Sequence, residues 1–174
     1  MCCEAARRAA TYPSREPVMP IHGFDYHAPS VRYASEAAQR AGGADRVRFE
    51  VASAKSFPGS DYDLAAMFDC LHDMGDPAGA SRHVWNSLKP DGMWMIVEPF
   101  AQDRLEQNLN PVGRIFYSAS TFICTPASRA QEGAMGLGAQ AGEKRIREVV
   151  TRGGFRRFRR ATETPFNLIY EARP

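Results

Sequence analysis

The feature that most limits how this chain can fold is the stretch Tyr62–Pro77. A short apolar run, Leu64–Phe68, ends abruptly in the polar cluster Asp69, His72, Asp73 and Asp76. An apolar run of this length bounded by turn residues predicts a strand buried on both faces, although periodicity alone also admits a buried helix segment. Open α/β sheets bind ligands just beyond the carboxyl ends of such strands. The cluster therefore marks the expected ligand end of the fold.

The flanking segments repeat the theme. Val18–Phe24 predicts a short strand ending at Asp25, and Ala28–Ala41 a helix stopped by Gly42-Gly43. Val47–Val51 alternates cleanly as a strand and ends in the small residues Ala52, Ser53 and Ala54. After the Leu64 run come a helix over Ala78–Leu88, a turn at Lys89-Pro90-Asp91-Gly92, and a second continuously apolar strand, Met93–Val97, ending in Glu98-Pro99. Residues 101–141 mix a helix over Pro111–Cys124 with breakers at Pro126 and several glycines. Phe116, Tyr117 and Phe122 there suit either core packing or an apolar pocket. A charged amphipathic helix over Glu143–Arg152 precedes two strands, Phe155–Ala161 and Phe166–Ala172, whose short connection makes them antiparallel. Strand–helix alternation with a terminal hairpin predicts a Rossmann-like, doubly wound, mostly parallel α/β sheet with an antiparallel edge. A chain of 174 residues is most simply one domain.

At the amino end, Met1–Thr11 predicts a short helix, its residues 4–10 nearly all good helix formers, stopped by Tyr12-Pro13. No strand and no glycine-rich turn precede it.

Composition excludes more than it assigns. No apolar run reaches the roughly 18 residues of a membrane span, so no membrane partner is expected. The four cysteines have neither disulfide nor metal-ligand spacing, which makes a reducing cytoplasm the expected location. A net charge of +2 gives no strong case for nucleic acid as a partner, although Arg156, Arg157, Arg159 and Arg160 also suit a phosphate or nucleic-acid contact. From Glu143 to Pro174 nine Lys/Arg face four Glu, and Arg156, Arg157, Arg159 and Arg160 read as a solvated strand edge. Asp25 has two readings, a turn or cap residue before a helix, or a strand-end carboxylate that binds ribose hydroxyls. His72 reads as a loop histidine bonded to Asp73 or Asp76. His72-Asp73 is also a fragment of a metal site, but no matching ligands accompany it, and no metal is expected.

Gly-Phe-Asp-Tyr-His-Ala-Pro-Ser at 23–30, Phe-Asp-Cys-Leu-His-Asp-Met-Gly-Asp-Pro at 68–77, Lys-Pro-Asp-Gly at 89–92, Glu98-Pro99-Phe100, Asn108–Gly113, Gly153-Gly-Phe and Asn167–Pro174 together resemble class I S-adenosylmethionine-dependent methyltransferases. The likeness is strongest to the actinobacterial branch in which a winged-helix domain precedes the catalytic one. It favours that family over a nicotinamide-dependent dehydrogenase. It implies S-adenosylmethionine as cofactor, with Asp25 on the ribose, Tyr26 beside the adenosine, Ser53 and Ala54 against the adenine, and Asp69 and Cys70 facing the methionine portion. His72 becomes the first candidate base, since a neutral imidazole near pH 7 can take a proton. Glu98 becomes a second, starting outside the Asp69–His72 cluster on the neighbouring strand end. The implied acceptor is a small, partly apolar molecule, and a homo-oligomer is compatible with the resemblance. The family's first strand and its Asp-x-Gly-x-Gly turn have no counterpart here. The resemblance thus implies a chain that begins inside the first βα unit, an incomplete catalytic domain with reduced or no activity. A non-catalytic binding or regulatory protein of the same fold is the alternative.

Overall fold

The computed structural model describes residues 19–174. The helix expected over Met1–Thr11 lies outside them, as does Val18 at the start of the first strand. The chain divides into two compact units, residues 1–58 and 59–174.

In the first unit, β1 (Ile21–Asp25) pairs in parallel with β2 (Val47–Val51), joined by helix α1 (Ala28–Arg40). Pro29 in the first turn suits helix initiation, because its missing N–H would have had no partner there. The helix sets Ala34 and Ala38 inward, one turn apart. Only small residues face inward there, so the helix contributes little apolar burial.

The second unit carries a four-stranded sheet in the order β3 (Tyr62–Phe68), β4 (Leu88–Pro99), β6 (Asn167–Arg173), β5 (Arg157–Glu163). β3 and β4 are parallel, while β4–β6 and β5–β6 are antiparallel. Helices α2 (Pro77–Ser87) and α5 (Gly142–Gly153) pack together in the same unit. Their approach is close enough that a Cβ on Gly153 would stand 2.4 Å from Ser81 Cβ. Between them in sequence run α3 (Pro111–Ala119), a π-helical turn (Ser120–Cys124) and the short α4 (Thr125–Arg129). The mixed α/β architecture, with parallel ladders and an antiparallel terminal hairpin, is the class read from the sequence.

The core of this unit is the centre of the sheet and the helix pair. Trp94, Ile96, Phe155, Leu168, Tyr170, Val84, Ile146 and Val150 are buried. Each such side chain contributes roughly 1.5–3 kcal/mol of burial energy. Trp94 and Phe155 meet with ring centroids 5.2 Å apart, and Phe158 stacks on Tyr170 at 5.0 Å.

Several expectations are corrected. β3 is not buried on both faces: Leu64 is 42% exposed and no residue of the strand is fully buried. Among the described residues it pairs with β4 alone, so one neighbour replaces the two of a central strand. Lys89–Gly92 does not precede the next strand but bulges within it, as the register steps from Tyr62–Leu88 to Leu64–Met93. Pro126 does not end the helix begun at Pro111. A bond from Thr125 N–H to Ser120 C=O widens one turn to the π form, and the helical path continues to Arg129 with Pro126 in the first turn of α4. Phe122 is 80% exposed and belongs to no core.

Candidate functional site

Both parallel pairs place polar residues at their carboxyl ends. In the first unit Asp25 closes β1 and is paired with Val51, so Asp25 lies beside the turn that carries Ser53 and Ala54. Asp25 Oδ1 accepts a hydrogen bond from His27 N–H at 2.8 Å, which fixes the turn into α1. His27, not Asp25, is the N-cap residue. Ser53 Oγ accepts from Lys55 N–H at 3.2 Å. Tyr26 is 79% exposed. Asp25, Tyr26, Ser53 and Ala54 thus share one end of one strand pair.

In the second unit the ends of β3 and β4 and the start of β6 converge. Asp69 leaves β3 with φ +47°, a left-handed conformation rare for a side chain other than asparagine, aspartate or glycine. Its N–H is held by Val97 C=O at 2.8 Å, and its Oδ1 accepts from Asn167 Nδ2 at 3.1 Å. This reversal turns Cys70 and the 3-10 turn Leu71–Asp73 back across the strand ends. Asp76 then caps α2 by accepting from Gly79 N–H at 2.8 Å, a structural role.

The expected separation of Glu98 from His72 is overturned. Glu98 Oε2 lies 2.6 Å from His72 Nδ1, and Oε1 accepts the Leu71 N–H at 3.0 Å. Both are nearly inaccessible, 3% and 2% exposed. One residue beyond Val97 on the central strand, Glu98 points where the loop after β3 passes, and a buried carboxylate is tolerated when both oxygens are bonded. A carboxylate can only accept, so Nδ1 carries the proton and the other nitrogen, Nε2, faces away from Glu98. Nε2 lies 3.1 Å from Asp73 Oδ1, an ionic contact without hydrogen-bond alignment.

The electrostatics correct the neutral imidazole as well. Burial alone would lower the His72 pKa, but the contacts with Asp73 and Glu98 outweigh it and push it up to about 11. Burial likewise opposes the charge of Asp73, yet His72 beside it holds its carboxyl below the usual range. Asp69 moves the other way, raised by burial and by the neighbouring Glu98. The buried Cys124 thiol is raised by burial and then by Asp73.

Sequence reasoning named Asp73 only as a partner of His72 and assigned no role to Asn167 or Cys124 at this site. Asp73 stood in the polar cluster and was readable as part of it. Asn167 and Cys124 lie 98 and 51 positions from Asp69 and Asp73, respectively, and no local signal joins them. The clamp that brings them in is made of polar bonds. Ser128 Oγ donates to Met74 C=O at 2.7 Å, Gln131 Nε2 to Asp73 C=O at 2.9 Å, and Gly138 N–H to His72 C=O at 3.2 Å.

The comparisons with known proteins bear on the fold. The solved structure of mitomycin 7-O-methyltransferase MmcR superposes with TM-score 0.65 at 16% identity, over 99% of this chain and 54% of that one. The S-adenosylmethionine-dependent methyltransferase SibL, in its apo form, gives 0.66 at 16%, over 99% and 48%. A protein of Nostoc punctiforme provisionally described as an O-methyltransferase gives 0.64 at 17%, over 99% and 56%. At such identities the likeness is one of fold, and the chain spans about half the length of each. No curated protein matches the sequence. The family model described as "Methyltransferase domain" matches residues 2–153, and the chain belongs to that family.

Proposed function

We propose that this chain is the catalytic part of an S-adenosylmethionine-dependent methyltransferase acting on a small, partly apolar acceptor. The observation that carries the reading is the convergence of Asp69, His72, Glu98 and Asn167 at the carboxyl ends of a parallel strand pair in a chain of this family. In this reading residues 1–174 form one catalytic domain. Asp25, Tyr26, Ser53 and Ala54 are assigned to the adenosine end of the cofactor, Asp69 and Cys70 to its methionine end. The acceptor's nucleophilic atom attacks the sulfonium methyl, the sulfur leaves as the neutral thioether of S-adenosylhomocysteine, and the acceptor's proton passes to solvent water. Most of the acceleration comes from holding donor and acceptor in line. His72 and Glu98 are the catalytic candidates, and they act as one hydrogen-bonded unit, with only Nε2 turned away from the pair.

Titration calorimetry with S-adenosylhomocysteine tests the reading, after a cooperative melt of the purified chain. Saturable binding is expected, weakened about tenfold or more in Asp25→Asn, since hydrogen bonds to a charged group contribute about 1.5–3 kcal/mol. Absence of binding by a folded chain overturns it in favour of a non-catalytic protein of the same fold. His72→Asn separates the roles further. A catalytic pair loses turnover with cofactor affinity retained, whereas equal loss of both marks the pair as structural.

A further inference from the structure

The side of His72 turned away from Glu98 faces two groups that the methyl-transfer reading does not use. Asp73 Oδ1 is buried 3.1 Å from Nε2. Cys124 supplies a buried sulfur from the π-helical turn. One ligand atom from each of His72, Asp73 and Cys124 lies within 4.8 Å of the other two. We propose that these three side chains form a binding site for a divalent late transition-metal ion of the zinc class.

The donor set selects the ion. Imidazole nitrogen, carboxylate oxygen and thiolate sulfur together suit zinc and its neighbours, whereas magnesium and calcium take oxygen ligands. Bonds of about 2.0–2.3 Å at tetrahedral angles put ligand atoms about 3.3–3.7 Å apart. The His72–Asp73 separation is already near that spacing, and the Cys124 sulfur lies within 4.8 Å of both. Glu98 completes the arrangement from behind. A ligating histidine commonly donates its other ring N–H to a carboxylate, which fixes the ring and raises its basicity. Here that bond is in place at 2.6 Å. The ion triad accounts for the charge on His72, and the Cys124 thiol also faces the Asp73 carboxylate, so the three donors already meet. A cation engages all three, exchanging with the protons on Nε2 and Sγ. Three protein ligands leave a fourth position open, the pattern of sites where the metal meets water or substrate. A cation at Nε2 would replace the proton that the ring carries there, and His72 would then act as a ligand and not in proton transfer.

The test uses the untagged 174-residue chain with Co²⁺ as the spectroscopic probe and Zn²⁺ as competitor. One equivalent of Co²⁺ should produce a thiolate-to-cobalt charge-transfer band that Zn²⁺ abolishes and that Cys124→Ser lacks. X-ray absorption of the Zn²⁺-loaded native chain, which needs no variant, should show one sulfur at about 2.3 Å with nitrogen and oxygen at about 2.0–2.2 Å. No saturable binding, a band retained by Cys124→Ser, or a shell with no sulfur or several would overturn the site. S-adenosylhomocysteine enters neither measurement, so failure here leaves the methyl-transfer reading standing, and the reverse also holds.

Discussion

β3 and β4 look alike as sequence and differ as structure. Each is a short apolar run closed by an acidic residue, Leu64–Phe68 before Asp69 and Met93–Val97 before Glu98. β4 is flanked by β3 and β6, and its Trp94, Ile96 and Glu98 are all at most 3% exposed. β3 has one partner strand among the described residues, and Leu64 and Ala66 are exposed. The acids follow suit. Glu98 is a buried carboxylate with both oxygens bonded, whereas Asp69 is half-buried and anchored by Asn167. Apolar content therefore announces a strand, but the number of neighbours sets what each side chain is worth.

Four substitutions bear on that difference. Trp94→Ala should destabilise the chain by about 3–5 kcal/mol, because a fully buried indole packed on Phe155 is removed and a cavity remains. Urea unfolding with an unchanged slope checks it, and a cost below 1 kcal/mol would mean that β4 is not the centre of the core. Glu98→Gln comes next at about 3 kcal/mol, since losing one partner of a buried charge pair leaves the charge of His72 to Asp73 alone. The same unfolding series reads it, and a near-neutral result would show that the pair is water-accessible in solution. Asp69→Ala should cost about 1–2 kcal/mol through its left-handed backbone, and Asp69→Asn much less, because asparagine adopts that conformation more readily. Equal costs for the two would assign the effect to the Asn167 bond instead. Leu64→Thr should fall within about 0.5 kcal/mol, as for surface positions generally. A large loss there would place β3 in a buried interior and erase the contrast with β4.

Local patterns were readable wherever local physics decides them. The strand over Val47–Val51 matches residue for residue, and the helices over 28–41, 78–88 and 143–152 shift by one residue at most at either end. Gly154, with φ +119°, ends α5 where the Gly-Gly pair predicted a stop. The arginine-rich edge matches in part, since β5 is the outer strand but Arg156 precedes it and Arg160 is half-buried in ion pairs. Arg159 pairs with Glu171, and Arg160 with Glu143 and Glu163, on the outer strand. The Pro126 expectation failed because proline breaks a helix only where its N–H is needed. The preceding π turn removed that need.

At the site, position was legible and chemistry was not. The sequence places Asp25, Ser53, Asp69, His72 and Glu98 at strand ends, because strand length and turn residues are local properties. It could not place Glu98 against His72, since that contact depends on parallel register between strands 26 residues apart. Nor could it foresee the charged state of His72, which arises from two carboxylates arriving from different segments in a region sealed from water.

The sequence by itself therefore determined the α/β class, the polarity of the strand ends and the family, all of which are written in short-range patterns of residue type. Tertiary structure alone decided which apolar strand is central, which acid is buried, and that Cys124 stands beside His72 and Asp73. Those outcomes depend on pairing and on exclusion of water, and both are set by residues far apart in the chain.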